Sequence, residues 1–109
     1  MDSIPLYIYK SEEISISIQA YFEGSNLVID GYDIGKNVEE YWGDNDYEYM
    51  VTIPPKGVDF LAQYLGVSAT DRSMFLKALA LKFNSNHCYS EIRKLMEDNG
   101  IDCTGFTWA

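Results

Sequence analysis

The residues best suited to chemistry lie in one acidic stretch that runs from Asp30 to Ile53. It holds seven acidic residues against a single base, Lys36, within a chain of net charge −9. The seven acids are Asp30, Asp33, Glu39, Glu40, Asp44, Asp46 and Glu48. Carboxylates at this density serve as cation ligands, as acid–base pairs, or as a docking surface for a basic molecule. Each of these uses requires a different spacing.

A calcium loop is the first use to consider. Asp44, Asp46 and Glu48 match the first, third and fifth positions of an EF-hand loop. However, Tyr49 takes the sixth position, where the turn requires glycine, and Pro55 takes the twelfth, where a bidentate glutamate belongs. The residues that follow have the pattern of a strand rather than of an exiting helix. We therefore predict neither a metal site nor another cofactor.

Residue pairs that could act in catalysis are equally incomplete. His87 and Cys88 have the types of a thiol–imidazole dyad, but adjacent residues on a helix or strand point in different directions. The paired acids Glu39 and Glu40 lie in a charge run that offers no pocket to separate their pKa values. No phosphate-binding, dinucleotide-binding, zinc-protease or nucleophile-elbow motif occurs. We predict a non-enzymatic protein; an enzyme would require a pocket that brings His87 or Cys103 beside carboxylates.

The third use, a docking surface, depends on the elements that position the acids. Asn37 and Glu40 resemble the capping box of a short helix that ends at Gly43. One face of that helix would carry Tyr41 and Trp42.

From Tyr47 to Ile53 the apolar period is two, which is typical of a half-buried strand. If this strand extends back to Asp44, its outward face carries Asp44, Asp46 and Glu48 at intervals of about 6.8 Å, twice the rise per residue. We call these three residues the acidic ladder. It is either a plain solvated face or a docking surface for a basic partner.

A docking surface would combine charged and aromatic residues. The residues predicted to supply charge are Asp33, Glu39, Glu40, Asp44, Asp46 and Glu48, and those predicted to pack against the partner are Tyr41 and Trp42. Aromatic side chains at the rim of a charged face often anchor interfaces. The alternative role for Trp42 is to anchor the short helix to the sheet.

The rest of the chain predicts an α+β fold in one domain, residues 1–109. Residues 4–9, Ile14–Phe22, Leu27–Ile29 and Tyr47–Ile53 have strand patterns, and Pro54-Pro55 ends the sheet. In the first strand, Ile4, Leu6 and Ile8 are predicted to share a face. Three helical stripes follow: one ends at Gly66, one is capped by Ser68 or Thr70, and one is capped by Ser90 and closed by Asn99-Gly100. The expected architecture is an antiparallel meander of about four strands, then three helices packed on one face, with residues 101–108 as a candidate last strand.

Composition and charge limit the partners. The chain is 47% hydrophobic and 15% aromatic, as in a folded globule, and its charge of −9 would repel nucleic acid and anionic membranes. It contains no secretory signal pattern and no apolar run long enough for a membrane span, so we expect a cytoplasmic protein. Cys88 and Cys103 are either free thiols, as is usual in that compartment, or bridged. The oligomeric state is left open.

Three segments together resemble a known group of proteins. They are Asp30-Gly31 with Asp33-Ile34-Gly35, then Val38-Glu39-Glu40 with Trp42-Gly43, then Asp46-Tyr47-Glu48-Tyr49, and the ending Phe106-Thr107-Trp108 fits as well. This combination resembles a family of small acidic bacterial proteins, some of which are similar to immunity proteins that neutralise polymorphic or contact-dependent toxins. The resemblance implies a non-catalytic binding protein and supplies no catalytic residues.

Our leading hypothesis is a bacterial immunity protein that covers a basic surface of a cognate toxin domain. The second is a regulatory protein, or a phage product imitating the charge of DNA, that binds a different basic protein. The third is a protein whose acidic face is simply solvated.

Overall fold

The computed structural model describes residues 3–12, 14–35 and 46–108, with the backbone alone for residues 46, 47 and 106–108. These residues form strands β1 (Ser3–Lys10), β2 (Ile14–Glu23), β3 (Asn26–Gly35) and β4 (Asp46–Ile53), helices α1 (Pro55–Leu65), α2 (Arg72–Lys82) and α3 (Cys88–Asp98), and strand β5 (Thr104–Trp108). The strands form one antiparallel sheet in the order β1-β2-β3-β4-β5. The predicted α+β fold, with a meander before the helices and a last strand after them, is confirmed.

One face of the sheet, the inner face, packs against the helices. Its fully buried members are Ile18 and Ala20 of β2, Leu27 and Ile29 of β3, and Val51 and Ile53 of β4. Helix residues join them in one core cluster, including Leu61 of α1, Phe75 and Leu79 of α2, and Ile92 and Met96 of α3. Burial of one such side chain stabilises the fold by about 1.5–3 kcal/mol. The alternation of β2 predicted this face because every second residue of a strand points to the same side.

In β1 the prediction for Ile8 is wrong. The register with β2 shifts between Pro5 and Tyr7, as at a β-bulge. Beyond this shift Tyr7 pairs with the inner-face residue Ile18, and Ile8 falls on the other face, where 65% of it is exposed. A bulge adds one residue to a strand and thereby exchanges the two faces that follow it.

Strand β3 is longer than the predicted segment Leu27–Ile29. It runs from Asn26 to Gly35 and pairs along that whole length with β2. Acidic residues and glycine are unfavourable in isolated strand patterns, which is why the sequence predicted an early end. Pairing with neighbours on both sides outweighs these local preferences.

Helix α1 ends at Gly66 as predicted, and it begins at Pro55, where the sheet was predicted to end. Pro55 occupies the first helical turn, where its missing N–H leaves no helical hydrogen bond unmade. The helix closes at Gly66, whose φ of 74° is left-handed and whose N–H donates to the carbonyls of Ala62 and Gln63. None of the described helices is long and apolar enough to cross a membrane.

The predicted caps of the other two helices are wrong. Asp71, rather than Ser68 or Thr70, caps α2, and its carboxylate accepts a hydrogen bond of 3.1 Å from the N–H of Met74. Helix α3 begins at Cys88, after His87, so Ser90 lies inside the first turn instead of capping it. Asx and serine side chains are all competent caps, and sequence alone does not rank neighbouring candidates.

Candidate functional site

The structure separates the predicted binding residues. Glu48 lies in β4 on the face opposite to the helices, while Asp33 of β3 lies on the inner face, in register with Tyr47. Asp46 begins β4 and pairs with Ile34, and its side chain is outside the description. The other five predicted residues, Glu39, Glu40, Tyr41, Trp42 and Asp44, lie outside the described residues, as does the predicted short helix. Asp33 and Glu48 therefore do not belong to one surface.

The face that contains Glu48, which we call the outer face, is partly apolar. Its described apolar and aromatic members are Ile8, Tyr21, Val28, Tyr32, Ile34 and Met50. Its described acids are Glu23, Asp30 and Glu48, and Lys10 is the one base among its described residues. The sheet residues of the core cluster that pair in register within β2, β3 or β4 all lie on the inner face, so the described helices pack against that face. On the outer face Val28 is fully buried, whereas Tyr32 and Met50 are half-buried.

Asp30 is an outer-face acid that the sequence reasoning did not select. Its carboxylate accepts a hydrogen bond of 3.5 Å from Nε2 of Gln19 and another from the hydroxyl of Tyr21. Partial burial raises the pKa of Asp30, and these two hydrogen bonds counteract the increase because they favour the charged form. The carboxylate is thus held in a fixed position on the sheet by two neighbours from β2.

Asp30 and Glu48 border the same pocket. It has a volume of about 210 Å³, and its lining also includes Tyr32 and Met50 of the outer face together with Gly31 and Tyr49 of the inner face. Tyr32 is directly opposite Glu48, and Met50 is directly opposite Asp30. Two carboxylates beside an aromatic ring and a flexible thioether can receive a cationic side chain, which would gain both ion pairing and ring contact.

A second cluster, on the inner face, holds Asp33. The hydroxyl of Tyr49 donates a hydrogen bond of 3.0 Å to Oδ1 of Asp33. The Tyr49 ring packs edge-on against Tyr89 of α3, with centroids 4.7 Å apart. It also covers Gly31, since a Cβ added there would lie only 2.0 Å from Cε2 of Tyr49. Through these contacts, the cluster links β3 and β4 to α3.

The possible catalytic pair does not come together. Cys88 is fully buried, whereas its neighbour His87 is exposed. Burial raises the pKa of the Cys88 thiol to about 11, so it is protonated at neutral pH, while cysteine nucleophiles act as thiolates. Cys88 and Cys103 are both free thiols. Within the described residues, no group of three or more His, Cys, Asp and Glu side chains is placed to hold a metal ion.

The position of Asp33 leads to a prediction about pH. Burial raises the pKa of Asp33 above 3.8, and the Tyr49 hydrogen bond only partly counteracts this. A raised carboxyl pKa means that the folded protein binds the proton more tightly than the unfolded chain, so stability falls as pH rises above 3.8. Asp33→Asn, which retains an oxygen acceptor for Tyr49, should therefore increase the free energy of unfolding at pH 7 and change it much less at pH 3.

Urea unfolding at both pH values measures this difference. Asp59→Asn removes an exposed carboxylate from α1 and controls for the change in net charge. An Asp33→Asn variant that gains no more stability at pH 7 than the Asp59→Asn control would contradict the prediction.

No protein-family model matches this sequence, and comparisons with curated proteins and with solved structures give no significant match.

Proposed function

We propose that this chain is a non-enzymatic binding protein whose outer face docks onto a basic partner protein. The observation that carries the proposal lies on the sheet face opposite the helix-packed one, where Asp30 and Glu48 lie beside Tyr32 and Met50 around one pocket. Lys10, at the end of an edge strand, is the one base among the described residues of that face. In its most concrete form, the proposal is an immunity protein that blocks a cognate toxin domain by covering a basic surface.

The two kinds of outer-face residue would contribute differently to binding. Carboxylates accelerate encounter with a cationic partner, because opposite charges steer diffusion before contact. Apolar and aromatic side chains provide most of the affinity once water leaves the contact, as anchors in interfaces do. Tyr32 and Met50 are half-buried within the fold already, so they lose little conformational freedom on binding.

The other predicted binding residues lie in the segment of the sequence between β3 and β4, and the proposal includes them. In the sequence, residues 36–45 lie between Gly35, the last residue of β3, and Asp46, the first residue of β4. They include Glu39, Glu40 and Asp44 as charges, with Tyr41 and Trp42 as anchors. The net charge of −9 disfavours nucleic acid and anionic membranes as partners. The proposal includes a cytoplasmic location.

The test is capture of the partner from a lysate of the protein's own host at low salt, followed by mass spectrometry. We expect one basic protein, released when the salt concentration is raised. Two variants make the test specific. The ladder variant is Asp44→Lys/Asp46→Lys/Glu48→Lys. The helix variant, Asp59→Lys/Glu97→Lys/Asp102→Lys, changes exposed acids of α1, of α3 and of the loop that follows α3. Each replaces three acids by three bases, so both reach a net charge of −3 from −9.

The ladder variant should lose the captured protein and the helix variant should keep it. A toxin encoded beside this gene would identify the immunity function, whereas a prophage location would favour a mimic of DNA charge. Equal capture by both variants, or no basic protein at any salt concentration, would support a plain solvated face instead.

A further inference from the structure

A second exposed apolar surface lies on the helix layer, between α1 and α2. Met74, Ala78 and Leu81 follow one another on α2 at spacings of four and three residues, and thus share a side of the helix. Leu81 is 80% exposed, Met74 51% and Tyr64 of α1 47%. Tyr64, Leu65, Ala78, Leu81 and Lys82 line a shallow depression of about 530 Å³, which we call the helix groove. Contiguous exposed apolar residues of this kind are typical of binding surfaces, whereas isolated ones are common everywhere.

Helix α2, which forms one side of the helix groove, has a charge opposite in sign to that of the chain. Helix α2 carries Arg72, Lys77 and Lys82 and contains no acidic residue, although the protein as a whole has a net charge of −9. Arg72 is already engaged, since it donates a 2.6 Å hydrogen bond to the Gly24 carbonyl and its guanidinium lies over the Phe22 ring. Lys82 lies 5.8 Å from the centroid of the Tyr64 ring, at the border of the groove. Lys82 lines the groove, and Lys77 lies beside the apolar stripe, three residues after Met74 and four before Leu81. These two lysines are the cations of α2 closest to a molecule bound on the stripe.

We infer that the helix groove binds an acidic amphipathic helix of a partner protein. The stripe of Met74, Ala78 and Leu81 presents a ridge that the apolar side of such a helix can pack against. Acidic residues flanking that side would meet Lys77 and Lys82. Helix α2 has 11 residues and is about 16 Å long, so three to four turns of a partner would cover it.

Charge disfavours the two other occupants of such a surface. A symmetric dimer through α2 would place Lys77 and Lys82 of one copy beside the same residues of the other, which costs like-charge repulsion. An anionic membrane would be repelled by the net charge of −9, and two lysines fall short of the four to eight bases typical of lipid-binding clusters. The same two lysines are sufficient to orient one acidic helix.

The probe is a synthetic helical peptide with leucines at positions i, i+3, i+4 and i+7 and glutamates on its other faces. A second peptide replaces every glutamate by lysine. Each is titrated into the ¹⁵N-labelled full-length protein, and amide shifts are followed by NMR. We expect the glutamate peptide to shift the amides around Tyr64, Ala78 and Leu81, and the lysine peptide to leave them unchanged.

Variants of the groove sharpen the test. Leu81→Ser should weaken binding of the glutamate peptide about tenfold or more, because it removes an apolar contact, and its high exposure leaves the fold unaffected. Lys77→Glu/Lys82→Glu should abolish binding at low salt. Lys56→Glu/Lys94→Glu changes the net charge equally at exposed positions outside the groove and should bind like the parent protein.

Absence of shifts in the groove, or equal binding by Leu81→Ser and the parent protein, would overturn the inference. Analytical sedimentation of the protein alone tests whether a second copy of the chain occupies the groove. Self-association that Leu81→Ser abolishes would show that it does, and would also overturn the inference. The ladder variant should bind the glutamate peptide normally, so failure of this inference and failure of the proposed function remain distinguishable.

Discussion

Gly31→Ala is expected to destabilise this protein far more than Gly105→Ala, the same methyl addition in β5. The added Cβ would lie 2.0 Å from Cε2 and 2.2 Å from Cζ of Tyr49, which faces Gly31 directly across β3 and β4. The ring must move, and overpacking of this kind costs about 1–3 kcal/mol. Its movement also breaks the hydrogen bond to Asp33 and the packing on Tyr89, and an unsatisfied partly buried carboxylate costs about 1–3 kcal/mol in addition.

A double-mutant cycle tests whether the Tyr49 ring is the cause. In a Tyr49→Ala background the ring is absent, so Gly31→Ala should cost little or even stabilise the strand, because glycine is the weaker strand former. Gly105→Ala in β5 is the matched control. Its Cβ would meet the flexible Arg93 guanidinium and the Met50 carbonyl no closer than 3.3 Å. Urea unfolding gives the four free energies, and an equal cost of Gly31→Ala in both backgrounds would contradict the argument.

The sequence predicted the elements whose residues alternate without interruption. In β2, Ile14, Ile16 and Ile18 alternate with serines, and that period alone defines the inner face. The end of helix α1 was equally clear, because Gly66 is a strong signal for a helix end. In both elements, local preference and tertiary packing favour the same structure.

The spacing of residues along β3 determines the face on which Asp33 lies. Asp33 has the same parity as Leu27 and Ile29, so continuation of β3 puts it on the inner face. The predicted end of β3 at Ile29 concealed this, because Asp30 and Gly31 disfavour a strand in isolation. Gly31 leaves room for the ring of Tyr49, the residue opposite it in β4. This role cannot be predicted without the register of β3 and β4, which is set by tertiary structure.

Asp30 and the helix groove were beyond prediction for a different reason. Asp30 is held by Gln19 and Tyr21 of the neighbouring strand, and only the β2–β3 register brings them together. Exposure of Leu81 depends on how α1 and α2 pack, which the apolar pattern within α2 does not determine. Both features depend on contacts between elements rather than on the pattern within one.

Among changes to the outer face, the ladder variant is expected to have the largest effect, and that effect is on the rate of association with the captured partner. The ladder variant should lower the association rate constant about tenfold or more at low salt, because electrostatic steering raises such rates by about 10 to 10³. Its rate should also depend less on salt than that of the parent protein. Both rates can be measured by stopped flow between about 20 mM and about 300 mM salt. Over this range the Debye length decreases from above about 10 Å to below it.

The helix variant separates local steering from total charge. It reaches the same net charge of −3 as the ladder variant but keeps the acids of β4. If long-range attraction to the whole molecule governs encounter, the two variants slow equally, and the outer face has no special role. If the face itself guides the partner, the ladder variant slows far more, since a charge within one Debye length of the contact is screened least. Asp33→Lys is uninformative in this comparison, because that residue lies on the inner face under Tyr49 and its replacement would perturb the fold instead of the encounter.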